Sequence, residues 1–130
     1  MDVLPGVDAS YEKGDAERFT GDVRVRYGPS PAEMGGTGVV VVTFQPGART
    51  FWHSHPGGQF LYVLQGKGRV RSEGEAGVEP LPGDILYIAP GEVHFHGGSP
   101  DAPMVHLAVN GGGAPDWGAE VSDSEYEEGF

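Results

Sequence analysis

The chain has 130 residues, a formal net charge of −11 and no cysteine. Its length suits one domain with a single core. The lack of cysteine excludes disulfides, thiolate nucleophiles and cysteine-ligated zinc. The acidic balance argues against a nucleic-acid partner or an anionic membrane surface, because both require a basic patch.

The first 18 residues are polar, and we expect them to form an arm. The stretch "MDVLPGVDASYEKGDAERF" has neither the basic start nor the apolar centre of a signal peptide. No apolar run in the chain approaches the roughly 20 residues of a membrane span. We therefore expect a cytoplasmic protein without a membrane partner.

Short apolar runs bounded by glycine or proline fill residues 19–112. In "GDVRVRYG", Val23, Val25 and Tyr27 alternate with arginines, which is typical of a half-buried strand. The β-branched run from Val39 to Gln45 is predicted to be a central strand. The later runs are "RTFWHSH", "QFLYVLQG", "KGRVRSEG", "GVEPLPG", "GDILYIAPG", "EVHFHGG" and "MVHLAVN". About eight or nine short strands at regular spacing predict an all-β sandwich or barrel.

Residues 113–130 form an acidic tail. Ser122 followed by Glu125 matches a capping box, which predicts one short helix. A solvated tail without a helix is the alternative. We find no repeat and no linker, so residues 1–130 are expected to form a single domain.

All five histidines lie between positions 53 and 106 of the strand-rich region: His53, His55, His94, His96 and His106. Residues i and i+2 of a strand share a face, so the first four form two same-face pairs on different strands. Imidazole is the common ligand of zinc, iron, manganese, nickel and copper. A single strand histidine is more often a buried hydrogen-bonding group, but two such pairs favour a metal site.

Glycine and proline residues at fixed spacings from the histidines add to the evidence of the histidine pairs. The segment from Gly47 to Gly66 reads G-x5-H-x-H-x3-Q-x6-G, and the segment from Gly83 to His94 reads G-D-x4-A-P-G-x2-H. These segments resemble the two motifs of the cupin superfamily, with 16 residues between them. Cupins usually carry glutamate where this chain has Gln59 and proline where it has Ala89.

Further phrases resemble a narrower group, the small bacterial manganese cupins that include the cupin-type hydroxynitrile lyases. The phrases are "VTFQPGART", "GEVHFHG", "MVHLAV" and a late "DW", within a similarity from about Phe19 to Tyr126. Members of this group also carry glutamine at the Gln59 position. The resemblance implies a small jelly-roll β-barrel that forms a homodimer or homotetramer. It also implies a divalent metal, manganese first with iron, zinc or nickel as alternatives, and a small-molecule substrate.

The same resemblance implies roles for individual residues. The metal-ligand positions of the group fall on His53, His55, Gln59 and His94. The pocket histidine that handles the proton falls on His106, and other pocket positions, where bulk and polarity vary with substrate, fall on Val40, Val42 and Asn110.

Two histidines remain once those ligands are assigned. His106 alternates with Met104 and Ala108, so we expect it to point inward, and His96 shares a face with His94. A histidine near a dication should have a lowered pKa and act as a neutral base. We expect His106 to be the catalytic base and His96 to be the second candidate. For either one, orienting a ligand by a hydrogen bond is the alternative.

Gln59 determines which chemistry is expected. Three neutral imidazoles and a neutral amide leave the charge of a dication uncompensated, which makes it a stronger Lewis acid. We therefore expect lyase chemistry of the hydroxynitrile type ahead of oxidation. The alternatives are a hydrogen-bonding role for Gln59 beside a three-histidine metal, an Fe(II) dioxygenase, and a non-enzymatic module that binds metal or a small ligand.

Aromatic side chains are abundant for this length. We expect most of them in the core and one or two in the pocket wall. They are Phe44, Phe51, Trp52, Phe60, Tyr62, Tyr87 and Phe95.

Overall fold

The computed structural model describes residues 1–6 and 10–130. Residues 7–9 of the predicted arm lie outside the described residues. The strands of the described part are β1 (Glu12–Lys13), β2 (Phe19–Thr20), β3 (Val23–Tyr27), β4 (Gly38–Phe44), β5 (Arg49–Thr50), β6 (His53–Ser54), β7 (Gln59–Gly66), β8 (Gly68–Ser72), β9 (Ile85–Ile88), β10 (His94–Gly98), β11 (Met104–Asn110) and β12 (Asp116–Trp117). The helix α1 covers Asp123–Glu127.

The strands form two curled antiparallel sheets. The first sheet has the order β1-β3-β4-β11-β7-β9, and the second has the order β12-β6-β10-β5-β2, with β8 also paired to β10. This arrangement confirms the predicted all-β, jelly-roll type fold. The predicted central strand is β4, which lies between β3 and β11.

Alternation along the strands builds the core between the sheets. On β3, Val23 and Val25 are buried while Arg24 is exposed, as the period-2 pattern predicts. They pack with Val42 and Phe44 of β4 in the main apolar cluster. Tyr27, at the end of the same strand, is exposed and lines a cavity.

The run "GVEPLPG" was expected to be a strand, and this expectation is wrong. Within this run, only Val78 forms a β-bridge, which is an isolated one to Val70 of β8. Pro80 and Pro82 lack the backbone N–H that a ladder requires, so the segment continues as a loop.

The C-terminal tail carries the predicted helix. The Ser122 side chain accepts a hydrogen bond from the backbone N–H of Glu125, and the Glu125 carboxylate accepts one from the N–H of Ser122, which completes the capping box. The tail is not solvated throughout, since Val121 and Tyr126 are buried against Phe95. The Tyr126 hydroxyl also donates to the carbonyl of Gly98 at 2.6 Å.

No helix within residues 1–6 and 10–130 is long and apolar enough to cross a membrane.

Candidate metal centre and active-site cavity

The five histidines meet between the two sheets. His53 on β6 pairs directly with His94 on β10, and their ring centroids lie 4.3 Å apart. His96 follows on β10 with its ring 5.2 Å from that of His53. His55 lies just beyond β6, with its ring 5.1 Å from that of His53. The strands β6 and β10, with the residue that follows β6, therefore bring four imidazoles close together.

His106 and Gln59 come from the first sheet. His106 is fully buried on β11 between Met104 and Ala108, which confirms that its side chain points inward. Gln59 begins β7 and reaches His94, with 2.9 Å between Gln59 Oε1 and His94 Nε2. The site therefore combines side chains from both sheets, which face each other across it.

The turn before Gln59 requires glycine. A Cβ at Gly57 would lie 2.4 Å from the backbone carbon of Gly111, so only glycine permits that close approach. Gly58 adopts φ 80°, and a Cβ there would lie 2.9 Å from the carbonyl oxygen of Ile88. These two contacts hold His55 and Gln59 at opposite ends of a compact turn, with both side chains directed inward.

Backbone carbonyls set the tautomers of two histidines. His53 Nδ1 donates to the carbonyl of Phe51 at 2.9 Å, and His94 Nδ1 donates to the carbonyl of Glu92 at 3.0 Å. In a neutral ring, Nε2 then carries no proton, and its lone pair is free to bind a metal. Both Nε2 atoms are therefore available as metal ligands.

A hydrogen bond to Asn110 sets the orientation of the Gln59 amide. Its nitrogen donates to Oδ1 of Asn110 at 2.7 Å, so its oxygen faces His94 Nε2. Two acceptors then lie 2.9 Å apart with no proton between them, which is unfavourable unless a cation binds there. Metal–ligand bonds of about 2.1 Å bring neighbouring donor atoms to about 3 Å, so the pair fits a shared divalent metal.

The buried histidines are neutral. Burial lowers the pKa of His55 to about 4, with the nearby His94 as a further cause, and burial lowers the pKa of His106 to about 3. The pKa values of His53, His94 and His96 are also lowered, in each case chiefly by burial. Neutral imidazoles are the form that binds a metal or accepts a proton.

Two sets of ligands fit this arrangement. His53, His94 and His96 each place a ring nitrogen within 4.8 Å of the other two, so they could hold a metal ion. The set expected from the sequence has His55 and Gln59 in place of His96. His55 supports that set, because both of its ring nitrogens are buried and have no hydrogen-bond partner. A bound metal would satisfy one of them.

Which of the two ligand sets binds the metal determines the direction of the hydrogen bond between His96 and His106. His106 Nε2 and His96 Nδ1 lie 2.9 Å apart, so one ring donates to the other. If His96 ligates through Nε2, its Nδ1 carries the proton and donates to His106. If His55 ligates instead, His106 Nε2 can donate to His96, which leaves His106 Nδ1 as a free base. That nitrogen has no partner in the structure.

A cavity of about 590 Å³ opens beside these groups. Val40, Val42 and Asn110 all line it, together with His53, His55, Gln59, His96 and His106. Asn110 thus faces the cavity and also orients Gln59. Its position on β11, opposite Gln59 on β7, follows from the strand register.

Trp117 also belongs to the site, although the histidine pattern does not predict it. It pairs with His53 across β12 and β6, and its ring stacks on that imidazole at 4.7 Å and 27°. The Arg18 guanidinium lies over the indole, 5.5 Å from the ring centroid, and Arg18 lines the same cavity. Trp117 lies 64 positions after His53, and no pattern near it in the sequence predicts a contact with that histidine. The phrase "DW", part of the family resemblance, was the one signal that included it.

Replacing Asn110 with leucine should weaken metal binding about 10- to 100-fold, because the Gln59 amide loses the acceptor that holds its oxygen toward the site. Competition with a chelator measures this affinity. Asn110→Asp keeps an oxygen acceptor and should bind the metal at least as tightly as the parent. Equal affinity for Asn110→Leu and the parent would contradict the orienting role.

Comparisons with known proteins agree with the geometry. The profile of the Cupin domain family matches residues 40–110, more than half of the chain. A protein named (R)-mandelonitrile lyase from Granulicella tundricola is 46% identical over 120 residues, which cover 88% of this chain and 89% of that protein. The crystal structure of a cupin-like protein from Thermotoga maritima superposes with a TM-score of 0.87 at 38% identity, covering 91% of this chain and 92% of that one. This chain belongs to the cupin family.

Proposed function

We propose that the protein is a metal-dependent lyase that cleaves and forms cyanohydrins. The observation that carries this proposal is the His106–His96 pair beside a cluster of metal-binding side chains at the edge of an apolar cavity. The 46% identity to a protein named (R)-mandelonitrile lyase supports the same chemistry. In this proposal the enzyme acts on a small molecule.

In the proposed centre, His53, His55, Gln59 and His94 hold a divalent metal, with manganese as the first candidate. Bound there, the metal supplies an electrophile that stabilises negative charge on a substrate oxygen or on the departing cyanide. None of these four side chains carries a negative charge, which keeps that electrophile strong.

His106 is proposed to be the base. Its Nδ1 accepts the proton of the cyanohydrin hydroxyl, while its Nε2 proton is held by His96 Nδ1. The electrons of the O–H bond form the carbonyl, and the carbon–carbon bond to the nitrile breaks with its electron pair going to cyanide. The proton on His106 then leaves with cyanide as hydrogen cyanide.

The cavity walls suit an aromatic or branched apolar substituent. Val25, Val40, Val42 and Ala108 line one side, and Trp117 lines another near His53. Closely packed apolar walls exclude water from the base and bind the organic group of the substrate. Mandelonitrile, with its phenyl ring, is therefore the first substrate to assay.

The test measures benzaldehyde release from mandelonitrile by protein loaded with manganese, together with the metal content of the purified protein. We expect near-stoichiometric metal and turnover above the uncatalysed rate. A metal-loaded protein that leaves mandelonitrile intact would remove the lyase proposal. Oxygen uptake that depends on Fe(II) would favour a dioxygenase instead, and full metal binding without either reaction would favour a binding module.

Single alanine variants distinguish the two ligand sets. His53→Ala and His94→Ala should lose the metal under either set, so they serve as reference variants. His55→Ala should lose most of the metal and His96→Ala should retain it if the proposed set is correct. Elemental analysis of the four proteins measures this directly. Metal lost from His96→Ala but kept by His55→Ala would assign the centre to His53, His94 and His96.

A further inference from the structure

Most cations of this chain already have an acceptor. Of the eight lysines and arginines, five form ion pairs within residues 1–6 and 10–130, and Arg26 donates to the backbone carbonyls of Leu4 and Pro5. The other two are Lys13, on the exposed strand β1, and Arg18, which lines the active-site cavity. Arg18 therefore combines a guanidinium that has no acceptor in the described part of the chain with a place beside the proposed centre.

Backbone hydrogen bonds tie Arg18 to the segment that carries His53. The carbonyl of Arg18 accepts from the N–H of Phe51 at 2.8 Å, and the carbonyl of Phe51 accepts from His53 Nδ1 at 2.9 Å. The N–H of Arg18 donates to the carbonyl of Asp15 at 2.9 Å, which closes a turn. The backbone of Arg18 is thus fixed in place relative to the His53 ring.

The indole of Trp117 holds the guanidinium at the cavity wall. The guanidinium carbon lies 5.5 Å from the centroid of the indole, and the indole itself stacks on the ring of His53. Tryptophan is the aromatic residue that attracts a cation most strongly. Trp117 Nε1 is buried and has no hydrogen-bond partner among the described residues. Two residues of this wall therefore present donors that lack an acceptor.

The rest of the cavity wall carries little charge. Apolar side chains and neutral histidines make up most of it. Asp15 is the one carboxylate among the described residues that line the cavity, and its Oδ1 accepts a hydrogen bond from the N–H of Glu17 at 2.9 Å. Asp15 and Arg18 form no ion pair in the structure, so the guanidinium is available to a ligand.

We propose that Arg18 binds a carboxylate on the organic group of the substrate. The preferred substrates are then cyanohydrins and carbonyl compounds with an acidic substituent, an inference that rests on the proposed lyase function. A guanidinium presents a planar fork of donors that matches the two oxygens of a carboxylate. A phosphate dianion fits less well, because a protein with a net charge of −11 repels two charges more strongly than one.

The net charge of the protein makes the effect of Arg18 easy to recognise. Without Arg18, the acidic protein repels an anionic substrate, so a neutral analogue of the same shape should be preferred. Arg18 should reverse that order of preference. The guanidinium is exposed to solvent, so the preference for the anion should weaken as the salt concentration rises.

Two matched cyanohydrins test the proposal, one from para-carboxybenzaldehyde and one from para-carbamoylbenzaldehyde. The amide has nearly the shape of the carboxylate without its charge. We expect the manganese-loaded parent to cleave the acid with a kcat/KM about tenfold higher than the amide. Arg18→Gln should lose or reverse this preference, and Arg18→Lys should retain part of it, since lysine keeps the charge but not the fork. Lys13→Gln removes a cation outside the cavity and is the matched control, which should keep the parent's ratio.

A binding measurement separates this inference from the lyase proposal. Titration of the manganese-loaded protein with para-methylbenzoate and para-methylbenzamide, followed by tryptophan fluorescence, requires no turnover. We expect the parent and Lys13→Gln to bind the benzoate about tenfold more tightly than the benzamide, and Arg18→Gln to lose the difference. Tight benzoate binding without cleavage of any cyanohydrin would overturn the lyase proposal alone. A parent without preference for the acid, or an Arg18→Gln variant with the parent's full preference, would overturn the role of Arg18.

Discussion

Replacing His106 with glutamine should lower kcat for cyanohydrin cleavage about 100- to 10,000-fold while the metal stays bound, because general-base catalysis contributes on that scale. His106 is not among the proposed ligands, so the metal content should not fall. The ring is fully buried against Phe44, with 5.5 Å between the two centroids. Glutamine retains a polar side chain of similar length but cannot accept the substrate proton.

His96→Gln is the comparison variant for this prediction. His96 is proposed to act through His106 by holding its Nε2 proton at 2.9 Å. A glutamine oxygen can accept that same proton, so His96→Gln should retain more activity than His106→Gln. It should also shift the pH dependence of kcat, since the hydrogen bond to His106 changes. Equal and total loss in both variants, with metal absent from both, would contradict the division of roles.

Lowering the pH from 7 to 5 should destabilise the metal-free protein by several kcal/mol. Burial lowers the pKa of His55 to about 4 and that of His106 to about 3, whereas both titrate near 6.5 when unfolded. Between those values the unfolded chain binds more protons than the native protein, so the free energy of unfolding falls as the pH falls. Each histidine contributes about 2 kcal/mol at pH 5, at about 1.4 kcal/mol per pH unit.

Urea unfolding at pH 7, 6 and 5 measures this effect. The pKa values of the Glu92 and Glu125 carboxyls are lowered by hydrogen bonds, so their stabilising effect is lost only at lower pH, below the ordinary glutamate value of 4.5. The loss between pH 7 and 5 therefore reports the histidines. His106→Gln should show a shallower loss, by about 2 kcal/mol at pH 5. A free energy of unfolding that stays constant from pH 7 to 5 would contradict neutral burial of the ring.

Much of the fold was readable from local patterns. Alternation in "VRVRY", the β-branched "VVVVTF" and the capping box at Ser122 each correspond to an observed element. The two H-x-H pairs are local as well, because their shared face follows from strand geometry alone. Local patterning is reliable here because each of these signals depends on neighbours within a few positions.

The face that an aromatic residue occupies was harder to predict. Phe60 and Tyr62 suggested core by their size, yet their alternation with Gln59, Leu61 and Val63 places them outside. Hydrophobicity alone does not tell which face of a strand a large side chain occupies, because many apolar side chains remain exposed in folded proteins. The alternation was present in the sequence, but only the paired strands showed which face of β7 is buried.

By itself, the sequence determined a cysteine-free, acidic, all-β chain with paired histidines in two glycine-bounded motifs. The tertiary structure decided which atoms meet: His94 Nε2 beside Gln59 Oε1, Asn110 behind the amide, and Trp117 stacked on His53. These contacts join residues up to 64 positions apart on different strands. Strand register and sheet curvature set such distances, and both depend on the packing of the whole chain rather than on any local run of residues.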